Sequence, residues 1–162
     1  MVNKKSIYYI SISMSIKNPH NLPETAGFKE KLHTEIGTIY FYKKVVVVEA
    51  KEGVTLSYST GFSTLLKGLQ ITGFRSFIYI SNRINSYSVD PNDYKYLNKI
   101  PSLKAIAIVS KLDSARQNAM LEKSFSTKDL EIFEDITDAY EWALAILERK
   151  KKMLSASENE TD

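Results

Sequence analysis

Cysteine is absent from the 162 residues, which removes thiol nucleophiles, disulfides and thiolate metal sites together and fits a reducing compartment. Histidine is almost as scarce. His20 and His33 have no metal-ligand spacing and fall in no nucleophile–base motif, so both read as surface histidines. Glycine is sparse too, and Gly53, Gly61, Gly68 and Gly73 lack the spacing of a phosphate-cradling loop or a dinucleotide fingerprint. No apolar run approaches the roughly 18 residues of a membrane span. The nearest is the start, where Asn3-Lys4-Lys5 precedes Ile7 to Ile16 in the outline of a signal peptide. Three serines interrupt that stretch, and no small-residue cleavage site follows it. Its alternation at Ile10, Ile12, Met14 and Ile16 suits an extra strand equally well, and Met14 is an alternative start of translation. These absences lead to an expectation of a cytoplasmic chain without cofactor, metal or stable membrane insertion, and not an enzyme.

What is present is ordinary for one folded domain. The apolar and charged fractions are 43% and 25%, within the usual range for soluble proteins. The net charge is only +3, and the one basic run, Arg149 to Lys152, leads into Glu158, Glu160 and Asp162. Cations at a helix end complement its dipole, so this run does not argue for a nucleic-acid partner. The 10 Tyr and 7 Phe follow no RNA-binding signature.

Periodicity divides the chain into an irregular lead-in over residues 1–35, an α/β domain over 36–149 and a disordered, basic-then-acidic tail over 150–162. Pro19, Pro23 and Gly27 punctuate the lead-in. Ile36 to Tyr42 and the β-branched run Val45 to Glu49 are separated only by Lys43-Lys44, which predicts an antiparallel hairpin. Thr55 is the expected cap of a helix carrying Tyr58, Phe62, Leu65, Leu66 and Leu69. A strand over Phe77 to Ser81 follows. Asp90-Pro91 opens a short helix ending near Leu97, and Ala105 to Val109 is a buried strand. Asp113 caps a helix with Ala115, Ala119 and Met120 facing inward. Glu131 to Phe133 is a last short strand, and Thr137 caps a final helix with a stripe of Ala139, Trp142, Ala143, Ile146 and Leu147. This alternation predicts a mixed, mostly parallel sheet with an antiparallel first hairpin and helices packed on it.

The layout resembles the SpoIIAA-like (STAS-type) family across Ile36 to Leu147. The resemblance is carried by Ile36-Gly37-Thr38, Val45 to Glu49, Ile80-Ser81-Asn82-Arg83, Ala105 to Ser110, Ile132-Phe133 and Asp138-Ala139-Tyr140-Glu141-Trp142. The stretch Ile80 to Pro91 also looks like that of small uncharacterised STAS-like bacterial proteins. The resemblance implies a regulatory or binding module. A phosphorylatable serine would make it an anti-sigma-factor antagonist, with Ser86 and Ser88 as the positions, although the Asp-Ser-small-Gly setting of that class is missing here. A further likeness to lipid-transfer domains implies an apolar, lipid-like ligand.

The residues themselves single out one segment. Ser81, Asn82, Arg83, Asn85, Ser86, Tyr87 and Ser88 leave the carboxyl end of a central strand and lead towards a helix start, where open α/β sheets hold ligands. Arg83 there either forks onto an anionic ligand or partner, or pairs with an acidic neighbour while the polar residues satisfy a turn. Ser110, Lys111 and Arg116 are expected beside that loop as a secondary rim. Tyr58, Phe62, Tyr94, Tyr96 and Trp142 are expected to pack in the core or line an apolar cavity. The leading expectation is a non-enzymatic module for a protein partner or small ligand. The alternatives are a carrier of a small apolar or anionic molecule and a phosphorylation-controlled antagonist. Homodimerisation through the hairpin edge is compatible with the pattern.

Overall fold

Val45 to Val48 are the first four residues of a strand buried on both faces, as a run of β-branched residues without alternation requires. The computed structural model describes residues 18–73 and 75–159, without the side chains of Phe62, Ser63, Leu65, Leu66, Lys67, Thr72 and Asn159. The extra strand considered for Ile10 to Ile16 lies outside them. The valine strand, β3 (Val45–Ala50), is third in a six-stranded sheet with β1 (Glu30–His33), β2 (Gly37–Phe41), β5 (Phe77–Asn82), β7 (Leu103–Val109) and β8 (Asp129–Phe133). Their spatial order is β1-β2-β3-β5-β7-β8. The first two pairings are antiparallel and the other three parallel, so the fold class is the one the alternation predicts. Two short strands, β4 (Thr55–Leu56) and β6 (Ser88–Val89), pair in parallel apart from the main sheet.

The helices are α1 (Tyr58–Thr72), α2 (Tyr94–Asn98), α3 (Asp113–Glu122) and α4 (Ile136–Asn159). Successive parallel strands step in one direction along the sheet. Crossovers of a single hand therefore stack on one face, and α1, α2 and α3 lie together over Ile39, Val46, Val48, Phe77, Ile106 and Ile108. The other face, with Tyr42, Val45, Val47, Ile78, Ile80 and Ala107, is covered by α4 through Ala139, Ala143 and Ile146.

Several local expectations give way. The sheet begins at Glu30, inside the supposed lead-in, because β1 adds an exposed edge strand to β2. Residues before it also pack: Leu22 and Ala26 are buried against the α4 face. Gly37 opens β2 at φ 155°, where a Cβ would sit 2.2 Å from the carbonyl oxygen of Glu49. Ser57, not Thr55, caps α1, in a reciprocal box with Thr60. Asp135, not Thr137, caps α4, its Oδ1 accepting the Thr137 N–H at 2.8 Å. Asp113 is the first residue of α3 rather than its cap. Met120 is exposed rather than inward, since Ala119 takes the buried position. Finally, α4 continues to Asn159. Loss of the apolar stripe after Leu147 ends the burial but not the helix, because Lys, Met, Leu, Ala and Glu are good helix formers. No helix among the described residues is long and apolar enough to cross a membrane.

Candidate functional site

The segment after β5 is held from within. Arg83 does not face solvent: its Nη1 and Nη2 each donate to Glu122 of α3 at 2.7 Å, and both side chains are nearly inaccessible. Tyr94 adds a third hydrogen bond to the same carboxylate, also at 2.7 Å. Burial disfavours the guanidinium charge, but the Glu122 hydrogen bonds outweigh it and hold Arg83 protonated. The Tyr87 hydroxyl lies 2.6 Å from Ser81 Oγ, and its ring lies against the guanidinium. Burial pushes the hydroxyls of Tyr79, Tyr87 and Tyr94 upward in pKa, so all three stay protonated.

Asn82, Asn85, Ser86 and Ser88 are likewise engaged by other groups of the protein. Asn82 Nδ2 donates to Glu49 Oε1 at 2.7 Å on the opposite face of the sheet. Asn85 Nδ2 donates to the Ala50 carbonyl, and the Ser86 N–H donates to Glu52 Oε2. Ser88 pairs with Thr55 in the small sheet. Ser86 and Ser88 are exposed, but a phosphate on Ser86 would meet the Glu52 carboxylate. The segment reaches, through β6 and a 3-10 turn, a helix of only five residues. Of the expected rim, only Ser110 touches it, with Oγ 3.5 Å from the Arg83 carbonyl. Lys111 pairs with Asp135, and Arg116 with Asp113, Glu134 and the Ser110 carbonyl. The anion fork is thus closed by the protein's own carboxylate.

The concave site meets this segment at Ser81 and Arg83. A cleft of about 170 Å3 runs between α1 and the sheet. Its floor is Ile39, Val46, Val48, Phe77 and Tyr79, and its helix wall includes Gly61, Thr64 and Gly68. Residues seven apart share a helix face, and at Gly68 that face comes close to the sheet, where a Cβ would stand 3.6 Å from Phe41 Cε1. A Cβ on Gly61 would meet nothing within 4 Å. At one end stand Ser81, Arg83, Asp90, Asp93 and Tyr94. Tyr58 and Tyr96, stacked with ring centroids 3.8 Å apart, also line it. The first turn of α1 is closed to anions, because Asp93 Oδ2 accepts the Tyr58 N–H at 2.6 Å and Ser57 accepts that of Thr60.

Of the five aromatics singled out in the sequence, Tyr58, Tyr94 and Tyr96 line the cleft. Trp142 lies on the other face against Phe133, and the side chain of Phe62 is outside the described residues. A second polar cluster has no signal in the sequence. His20 is buried, not on the surface: its ring nitrogens lie 2.6 Å from the Tyr42 hydroxyl and 2.9 Å from Glu49 Oε1. The Tyr42 hydroxyl donates in turn to Asn18 Oδ1, which also accepts the His20 N–H. Burial acts to raise the Glu49 carboxyl, but hydrogen bonds from His20, Asn82 and Tyr40, with the charge of His20, bring it below the usual carboxylate range. Nothing local marked Glu49 or Glu122, since a lone acid in a strand or helix reads as a surface residue. The seven-residue spacing of Gly61 and Gly68 was the one available signal for the cleft.

No family model matches the sequence, and no curated protein matches it. Among solved structures, the chain is similar to an uncharacterised protein of the DUF3478 family from Shewanella loihica PV-4, described as having a SpoIIAA-like fold. Identity is 14%, covering 72% of this chain and 94% of that one, with a TM-score of 0.44. Nothing about ligand or partner passes from so distant a likeness.

Proposed function

We propose that this chain is a non-enzymatic binding module whose site is the cleft beneath α1, and whose ligand carries a ring-sized apolar body. The observation that supports this is a space of about 170 Å3 over an apolar floor, with Gly61 of α1 facing open space. An engineered apolar cavity of about 150 Å3 holds benzene, whereas pockets for larger ligands begin at about 300 Å3. A ring fits; a long lipid chain does not. Ser57, Ser81, Arg83, Asp93 and Tyr94 at the cleft are each engaged with another protein group, which favours binding over proton transfer or nucleophilic chemistry.

Titration of 15N-labelled protein with indole tests this reading. Saturable shifts should be confined to α1, the floor strands and the Asp90–Leu97 region, and Gly61→Leu should abolish them while the fold is retained. Shifts that never saturate, or that fall equally on the α4 face, would remove the reading.

A further inference from the structure

The cleft does not end at α1. A second, more polar recess of about 360 Å3 is lined by Leu32, His33, Thr34, Glu35, Ile36, Thr60 and Thr64. Ile36 and Thr64 line both spaces, so the two meet along the first two turns of α1. We propose that the site is bipartite and takes an amphiphile: an apolar ring in the inner cleft, and an amine or alcohol projecting past Thr64 into the outer recess. This rests on the cleft reading above and adds the chemistry of the ligand's other end.

Three observations set that chemistry. The Thr64 side chain makes no hydrogen bond among the described residues, and it stands at the junction of the two spaces. The carboxylate of Glu35 is exposed and has no ion pair among the described residues. The donors of the inner end are spent, Arg83 on Glu122 and N–H groups of the first turn of α1 on Asp93 and Ser57, while the outer recess holds the Thr64 hydroxyl and His33, whose Nδ1 lies 3.1 Å from Thr38 Oγ1. Asp90 and Asp93 at the inner end add the same sign of charge as Glu35. Lys95 is seated 5.0 Å from the ring centroid of Tyr96, so one aromatic wall of the cleft already carries a cation of the protein's own. A hydroxyl or ammonium group finds acceptors on this path, and a carboxylate finds repulsion.

The ligand's reach follows from helix geometry. Thr60 and Thr64 are one turn apart, about 6 Å along the axis, which a chain of about four carbons spans. The probes are therefore 4-phenyl-1-butanol, 4-phenylbutylamine and 4-phenylbutyrate, which share one ring and one chain and differ in the terminal group. Each is titrated into the full chain by NMR beside indole. The alcohol and amine should shift amides at 33–36 and 60–64 as well as those of the cleft floor. The amine should bind about five-fold tighter than the carboxylate, the scale of one partly exposed ion pair, and Glu35→Gln should narrow that gap. Tighter or equal binding of 4-phenylbutyrate, or no response at 33–36, would overturn the bipartite site while indole binding still upheld the cleft. Failure of indole itself would overturn both.

Discussion

Glu122 sits on a short amphipathic helix where its neighbours Leu121 and Lys123 are exposed, yet it is 8% accessible and receives three hydrogen bonds. Breaking one side of a buried pair leaves a charge in a poorly solvating site, at a cost of about 3–5 kcal/mol. Glu122→Gln should therefore lower stability by about 3 kcal/mol in urea denaturation. The double change Arg83→Met with Glu122→Leu should recover much of that loss, since apolar replacement of both partners removes the desolvation cost. Glu49 gives a pH prediction of definite sign. Its carboxyl is lower in the folded than in the unfolded state, so its stabilisation is full above the ordinary carboxylate range and is lost as pH falls through the folded value. Glu49→Gln should flatten the acid limb of the stability–pH curve. Thermal melts from neutral pH downward test this, and an unaltered acid limb would count against it.

At the scale of elements, α1 shows most clearly how site and stability separate. Gly61 has open space where a side chain would stand, and glycine within a helix costs about 1 kcal/mol relative to alanine. Gly61→Ala should raise stability by up to about 1 kcal/mol, read by chemical denaturation, because it adds propensity without a clash. A loss of stability would mean that the cleft wall is already closed. The hairpin of β2 and β3 was legible because its two-residue turn and valine run leave one arrangement open. β1 was not: only Leu32 of its four residues is even half-buried, so no alternation announces an edge strand. The helix caps Ser57 and Asp135 each stand two residues from Thr55 and Thr137, the positions that spacing suggests. Neighbouring hydroxyls and carboxylates compete for one N–H, and only the chain's final direction selects between them.

The whole molecule depends on a segment that reads as a loop. Leu22 lies in the same buried cluster as Tyr42, Ala139 and Ile146, and His20 beside it joins Tyr42 and Glu49. Leu22→Ala should cost about 2–4 kcal/mol, as for a core leucine, where a surface loop position would cost under about 0.5 kcal/mol. Equilibrium unfolding of the full chain distinguishes the two. The sequence by itself determined the order of the five main-sheet strands from β2 onward and of the four helices, because these are written in apolar runs, turn residues and periods of about 3.6 residues. The antiparallel start follows from the short turn, and the burial of the valine strand from its unbroken apolar run. Only the tertiary structure decided which charges meet. Arg83 and Glu122 are 39 residues apart, and His20 and Glu49 are 29; no local pattern relates such positions until the sheet brings them together. The cleft is of the same kind: it is a gap between surfaces, and it exists only once α1 has come to rest over the strands.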